Sequence, residues 1–159
     1  MTSLDGNIVN NALPSLEISL HVTAAATTWI VTAYLIVISA AIVIYGRLGD
    51  IFGTIRVFRI GVIGFTVGSA LCGFSNSFST LIVSRVLQAL GAAAAMGTSQ
   101  GIITQTFPAT ERGRALGTNG TFVALGAMAG PSLGALMLRY LNWHFIFWIN
   151  VPIGLAVFV

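Results

Sequence analysis

Residues 22–46, VTAAATTWIVTAYLIVISAAIVIYG, hold no Asp, Glu, Lys or Arg. A helix needs roughly 20 mainly apolar residues to cross a hydrocarbon core of about 30 Å, so this stretch is long enough to span a bilayer. Four more charge-free windows of similar size follow, at 60–84, 86–110, 115–138 and 140–159. A membrane β-barrel requires apolar/polar alternation over about ten residues, whereas Ile36-Val37-Ile38 and Ala92 to Met96 are apolar on every side. The windows therefore predict an all-α integral membrane protein.

Composition points the same way. Only 7% of the 159 residues are charged and 56% are hydrophobic, with a mean hydropathy of +0.93. A soluble domain normally carries about a quarter charged residues, so a soluble enzyme and a nucleic-acid module are both excluded as starting points. The formal net charge of +3 is spread over separated Arg residues and forms no basic stripe.

Spans are expected at residues 28–45, 57–74, 81–103, 115–138 and 144–159. A shortened first span at 1–16 precedes them, because Leu4 to Leu16 is mostly apolar. At 1.5 Å per residue it reaches about 24 Å, less than the core thickness. The last span stops at Val159 while still apolar, so the first and last helices both read as truncated. The polar run Ser75 to Thr80 reads as a tight turn that makes its flanking spans antiparallel. Basic residues set the orientation: Arg47, Arg56, Arg59, Arg112 and Arg114 flank two turns on one side, against Arg139 on the other. The positive-inside rule then makes loops 46–59 and 104–114 cytoplasmic in a multi-pass cell-membrane protein.

Eighteen glycines supply close helix approach, which drives association in lipid where the hydrophobic effect does not. Gly64/Gly68, Gly97/Gly101, Gly113/Gly117, Gly126/Gly130 and Gly130/Gly134 recur at four residues, on one helix face each. Pro131 interrupts the fifth span, where a kink or flexible point is expected, and Pro14 and Pro152 read the same way. Trp29, Trp143, Trp148 and Tyr140 fall near outer span ends and read as interface anchors.

Two charges sit where lipid should be. Asp5 lies about eleven residues, roughly 16 Å, from the expected outer end near Leu16, and Arg85 about one turn inside its span. An intramembrane ionisable group costs about 2.5 to 3.5 kcal/mol even on a lenient scale and is a functional-site hypothesis by default. The structural alternatives are Arg85 snorkelling to the outer surface and Asp5 lying in the aqueous interface. If both face a water-filled cavity, Asp5 suits a proton carrier: burial penalises its charged form, a nearby cation favours it, and conformational change moves the balance. Whether Arg85 is that cation stays open at this level.

Little else suggests chemistry. Cys72 is alone, and His21 and His144 form no metal cluster; no metal or cofactor is expected. Gly97-Thr98-Ser99-Gln100-Gly101 fits a hydrolase pattern that needs a strand-turn-helix setting, but it falls within a span; no enzyme is expected. Asn119-Gly120-Thr121 matches a glycosylation acceptor inside a span and is discounted. Gln88, Gln100 and Asn119 read equally as polar cavity contacts or as helix-helix glue.

Several stretches, taken in order, resemble the amino-terminal half of a major facilitator superfamily transporter, most closely its fourteen-span drug:proton antiporter branch. Residues 4–14, LDGNIVNNALP, resemble the first-helix motif; 46–53, GRLGDIFG, with Arg56 resemble the loop between helices two and three. Residues 85–91, RVLQALG, resemble the fourth-helix motif; Gly126 to Gly134 with Gly130-Pro131 resemble the fifth-helix antiporter motif; 143–154, WHFIFWINVPIG, are similar to the start of helix six. The sequence departs from the family pattern at Ile51, Thr54 and Ile55, where basic residues are usual, at Ala89, where Gly is usual, and at His144, where Arg is usual.

The resemblance implies a six-helix amino-terminal bundle over residues 1–159 with the second half absent. It implies export of a small hydrophobic or cationic compound in exchange for protons, by two halves rocking about a central site. By position, Asp5 would be the coupling acid or cation site, Arg85 the proton-relay residue, and Gly46, Asp50, Gly53 and Arg56 the cytoplasmic gate. The departures put that gate in question, and Arg47 or Arg59 would compensate. Gly126, Gly130, Pro131 and Gly134 would form the helix-five hinge. The implied partners are protons, that substrate, the lipid bilayer and the missing half, with no nucleic acid. Proton-coupled uptake and an inert or regulatory membrane fragment are the competing readings.

Overall fold

The computed structural model describes residues 2–158; Met1 and Val159, the outermost residues of the first and last expected spans, lie outside them. The described chain runs α1 (Thr2–Leu20), α2 (Ala24–Phe52), α3 (Thr54–Gly73), α4 (Phe78–Thr106), α5 (Ala109–Tyr140), α6 (His144–Trp148) and α7 (Asn150–Phe158). Helices α2, α3, α4 and α5 are each long and apolar enough to cross a membrane. At 1.5 Å per residue, 29 residues of α2 reach about 44 Å, which explains why the charge-free windows end inside helices rather than at their ends. The chain is an all-helical membrane bundle, as the windows predict.

Several expected boundaries move. Helix α1 continues through Glu17 to Leu20, past the expected stop at Leu16, and ends with His21 at φ 52. That left-handed residue terminates the helix as a C-cap glycine commonly does. Asp5 therefore lies fifteen residues, about 22 Å, from the helix end rather than about 16 Å. Helix α4 starts at Phe78, held by a reciprocal capping box between Ser77 and Thr80, so Arg85 sits about two turns inside it rather than one.

The sixth span is split at Ile149. Pro152 has no N–H to give the carbonyl of Trp148, which removes one ladder bond there, while Ile149 keeps helical angles (φ −61, ψ −28) and donates to the Phe145 carbonyl, so the joint is a loosened turn. Pro131 and Pro14, by contrast, lie within helices that are not interrupted. The loops carrying the Arg residues shrink to joints: Gly53 alone separates α2 from α3, and Phe107-Pro108 separate α4 from α5. Gly53 has φ 99, a conformation that favours glycine, and it lets one helix end and the next begin without a linker. The two joints share one end of the bundle, because Gln105 Nε2 donates to Thr54 Oγ1 at 2.9 Å.

The tightest packing is between α3 and α4. A Cβ on Gly68 would lie 2.6 Å from Gln88 Cα, one on Gly61 2.6 Å from Ala95 N, and one on Gly91 would overlap Phe65 N. Gly97 likewise brings α4 against the Ile42 carbonyl of α2. Gly134 of α5 approaches Ile8 of α1. Gly113 and Gly117 face open space, so among the described residues that four-residue repeat packs against no other helix.

At the opposite end from the joints, Ile8, Val9, Ala12, Leu16, Ile30, Cys72, Leu81, Ile146 and Phe147 form a core drawn from five helices. Trp143 belongs to this core, 6% exposed and stacked on His144 at 3.7 Å between ring centroids, and is not the surface anchor its position suggests. Trp148 closes over Gly73 and meets Phe74 edge-on. Trp29 and Tyr140 are exposed. The outward faces are apolar too, with Ile36, Val43, Val67, Val83, Phe122 and Met128 all exposed; such a surface suits lipid or another apolar protein face.

Candidate functional site

The two intramembrane charges meet. Arg85 NH1 lies 2.7 Å from Asp5 Oδ2, and both side chains are completely buried. Eighty residues apart in sequence, they are brought together because α1 and α4 both present them to the bundle interior. Among the described residues this is the only ion pair. Neither group snorkels, and neither faces a water-filled cavity in this conformation; both are enclosed by protein.

Uncharged groups complete the site. Gln88, one helical turn beyond Arg85, accepts from Arg85 NH1 at 2.6 Å through Oε1. Its Nε2 donates to Asp5 Oδ1 at 3.1 Å and to Ser69 Oγ of α3 at 2.6 Å. The thiol of Cys72 reaches Gln88 Oε1 at 3.8 Å. Asn150, the first residue of α7, donates to Asp5 Oδ1 at 2.7 Å. The Asp5 carboxylate thus receives one guanidinium and two amide donors, the charge-assisted arrangement that a buried anion requires.

The guanidinium is enclosed by aromatic faces, 4.1 Å from the Tyr34 ring centroid and 5.5 Å from that of Phe147. Such a placement favours a cation by quadrupole attraction. Tyr34 Oη, Arg85 Nε and NH2 and Asn150 Oδ1 are buried without a hydrogen-bond partner. The site is therefore not fully satisfied, and spare donors and acceptors surround its carboxylate.

Asp5 and Arg85 stood out in the sequence as charges in apolar windows, and Gln88 as an amide among three candidates. Gln100 and Asn119, the other two, are exposed. Ser69, Tyr34 and Asn150 were missed. The available signal for Asn150 was an amide two residues before Pro152 in an otherwise apolar window.

The remaining candidate residues do not join this cluster. Gly46 is half-buried against the Gly97 carbonyl, while Asp50, Gly53 and Arg56 are exposed at the α2–α3 joint. Arg47 and Arg59 are exposed beside them, and none of these charges enters an ion pair among the described residues. In α5, Gly130 and Gly134 are buried, Gly126 is half-buried and Pro131 is exposed. The Pro131 carbonyl accepts from Asn11 Nδ2 of α1 at 3.1 Å, so the helix-five motif is tied to the helix that carries Asp5. Ser99 hydrogen-bonds the Met96 carbonyl within α4, which leaves the hydrolase-like pattern as ordinary helix.

Comparison with known proteins agrees with this architecture. The chain is 44% identical over 160 residues to the riboflavin transporter RibZ of Clostridioides difficile, matching along its whole length and covering 35% of that protein. It is 38% identical over 159 residues to the tetracenomycin C resistance and export protein of Streptomyces glaucescens, covering 30% of it. It is 36% identical over 154 residues to multidrug resistance protein 3 of Bacillus subtilis, with 97% of the chain matched and 30% of the relative covered. The chain thus spans about a third of the length of these relatives. Residues 1–159 match the Major Facilitator Superfamily, and the chain belongs to that family of membrane transporters rather than to an enzyme family.

Proposed function

We propose that this chain is the amino-terminal six-helix half of a proton-coupled antiporter that expels small hydrophobic or cationic compounds. The observation that carries the reading is the enclosed Asp5–Arg85 pair, with its amide donors from α4 and α7. With Asp5 ionised, α1, α4 and α7 are held together around one carboxylate. A proton taken up by Asp5 leaves the Arg85 cation buried with only Gln88 and aromatic faces, an arrangement that is strongly unfavourable in low dielectric. Protonation therefore loosens the contacts that hold α1 in place, and loss of the proton restores them. This gives a single bundle two arrangements selected by a proton, which alternating access requires.

On this reading the two Arg-flanked joints face the cytoplasm of a cell membrane. Gly46, Asp50, Gly53 and Arg56 then lie at the cytoplasmic end, where the exposure of the last three leaves them accessible to a second six-helix half. Gly134 and the Pro131 carbonyl meet α1, and together with Gly126 and Gly130 they act as the helix-five hinge. Similarity to drug-resistance and export proteins supports efflux.

The test is substrate-coupled proton flux in inverted vesicles carrying the full-length protein. Asp5→Asn, compared at equal amounts of folded protein in the vesicle membrane, is expected to abolish efflux driven by a pH gradient, and undiminished efflux would remove Asp5 from coupling. A second reading is proton-coupled uptake, for which similarity to a riboflavin transporter offers a specific heteroaromatic compound as substrate without giving a direction. The direction of movement under an imposed pH gradient separates the two.

A further inference from the structure

Asn150 carries a feature that the ion pair alone does not require. Its side chain is completely buried. Its Nδ2 donates to Asp5 Oδ1 at 2.7 Å, while its own Oδ1 has no partner. It stands directly after the interruption at Ile149 between α6 and α7. The charged and titratable groups around Asp5 from the other packed elements are Arg85 of α4, Tyr34 of α2 and, through Gln88, Cys72 of α3. Arg85 can only donate, and Gln88 Oε1 is already engaged by Arg85.

A neutral carboxylic acid, unlike a carboxylate, must donate one hydrogen bond. Of the groups in hydrogen-bond contact with Asp5, only Asn150 has an uncommitted acceptor. A half-turn of its amide about χ2 exchanges Nδ2 for Oδ1 and changes a donor to the carboxylate into an acceptor from the acid.

We infer that Asn150 is a positioning residue that reads both protonation states of Asp5, donating to the carboxylate and accepting from the acid, and passes the change to the loosened turn that joins α6 and α7. The inference rests on the proposed role of Asp5 as the proton carrier. The proton balance is simple: one proton from water converts the carboxylate to a neutral acid, its O–H is then donated to Asn150 Oδ1, and the reverse occurs on release. The amide itself neither gains nor loses a proton.

The experiment is infrared difference spectroscopy of the full-length protein in liposomes after a pH jump, with Asp5→Asn identifying the carbonyl stretch of protonated Asp5. Asn150→Leu, which keeps the approximate volume and removes both amide functions, is expected to move that stretch to higher frequency, since the acid loses its acceptor. Asn150→Gln should restore part of the shift, and Ser69→Ala should leave the band in place. An Asp5 band that does not move in Asn150→Leu overturns the inference while leaving proton coupling intact. A wild-type spectrum with no Asp5 band overturns proton uptake at Asp5 and the inference with it. If Asn150→Leu fails to accumulate, Asn150→Ser supplies the same measurement with a shortened side chain: a shifted band supports the inference and an unmoved one overturns it.

Discussion

Arg85 and Asp5 each make the other tolerable, and their energetics separate by substitution. Removing one partner of a buried pair typically costs about 3 to 5 kcal/mol, whereas replacing both by neutral groups is often nearly neutral. Arg85→Ala is therefore expected to lower the unfolding free energy of the full-length protein by about that amount. Asp5→Asn combined with Arg85→Gln should cost much less than the sum of the single changes, a non-additivity read in a double-mutant cycle by denaturant unfolding in detergent. An additive cycle would mean that the 2.7 Å contact contributes no coupling.

Both charges were legible in the sequence because an ionisable residue in an apolar window is conspicuous by type alone. Their partners were not. Ser69, Tyr34 and Asn150 are polar groups whose role depends on which helix face they occupy, and in windows apolar on all sides no periodicity reveals that face.

At the scale of elements, the charge-free windows identified α2 to α5 because hydropathy is a sum over many residues and tolerates local error. Ends were less legible. Thr23, whose side chain accepts from Ala26 N, and Ser77 start α2 and α4 by capping, a local hydrogen-bond choice to which summed hydropathy is blind. Glycine repeats behaved similarly, since spacing shows that two glycines share a face but not whether anything lies opposite.

That distinction is measurable. Gly91→Ala would drive a methyl into the backbone of Phe65 across the α3–α4 contact, and overpacking of this kind typically costs about 1 to 3 kcal/mol. Gly117→Ala adds its methyl in open space and gains helix propensity of up to about 1 kcal/mol. Thermal unfolding in one detergent should therefore show Gly91→Ala destabilised and Gly117→Ala unchanged or slightly stabilised. Equal effects at the two positions would contradict the packing described for α3 and α4.

The whole molecule poses the question of what a single bundle can do. Its interior is occupied: the core clusters fill the space between the helices, and Asp5 and Arg85 are sealed at the level of the ion pair. The open clefts lie near one end, lined by Leu138 to Asn142 with Phe145, and by Ser19, Leu20, Asn76, Asn142, Trp143 and His144. Neither cleft reaches Asp5. A rocking mechanism needs a second rigid body, and the exposed faces of α2 and α5 offer apolar surface to lipid or to such a body without distinguishing them. On the proposed reading, residues 1–159 reconstituted alone should be helical and protected in proteoliposomes, yet show substrate flux no greater than protein-free liposomes. The same residues within a protein of the relatives' length should transport. Flux through the isolated bundle would mean that two copies of this chain supply both halves, and a concentration dependence of that flux with second-order onset would identify the pairing.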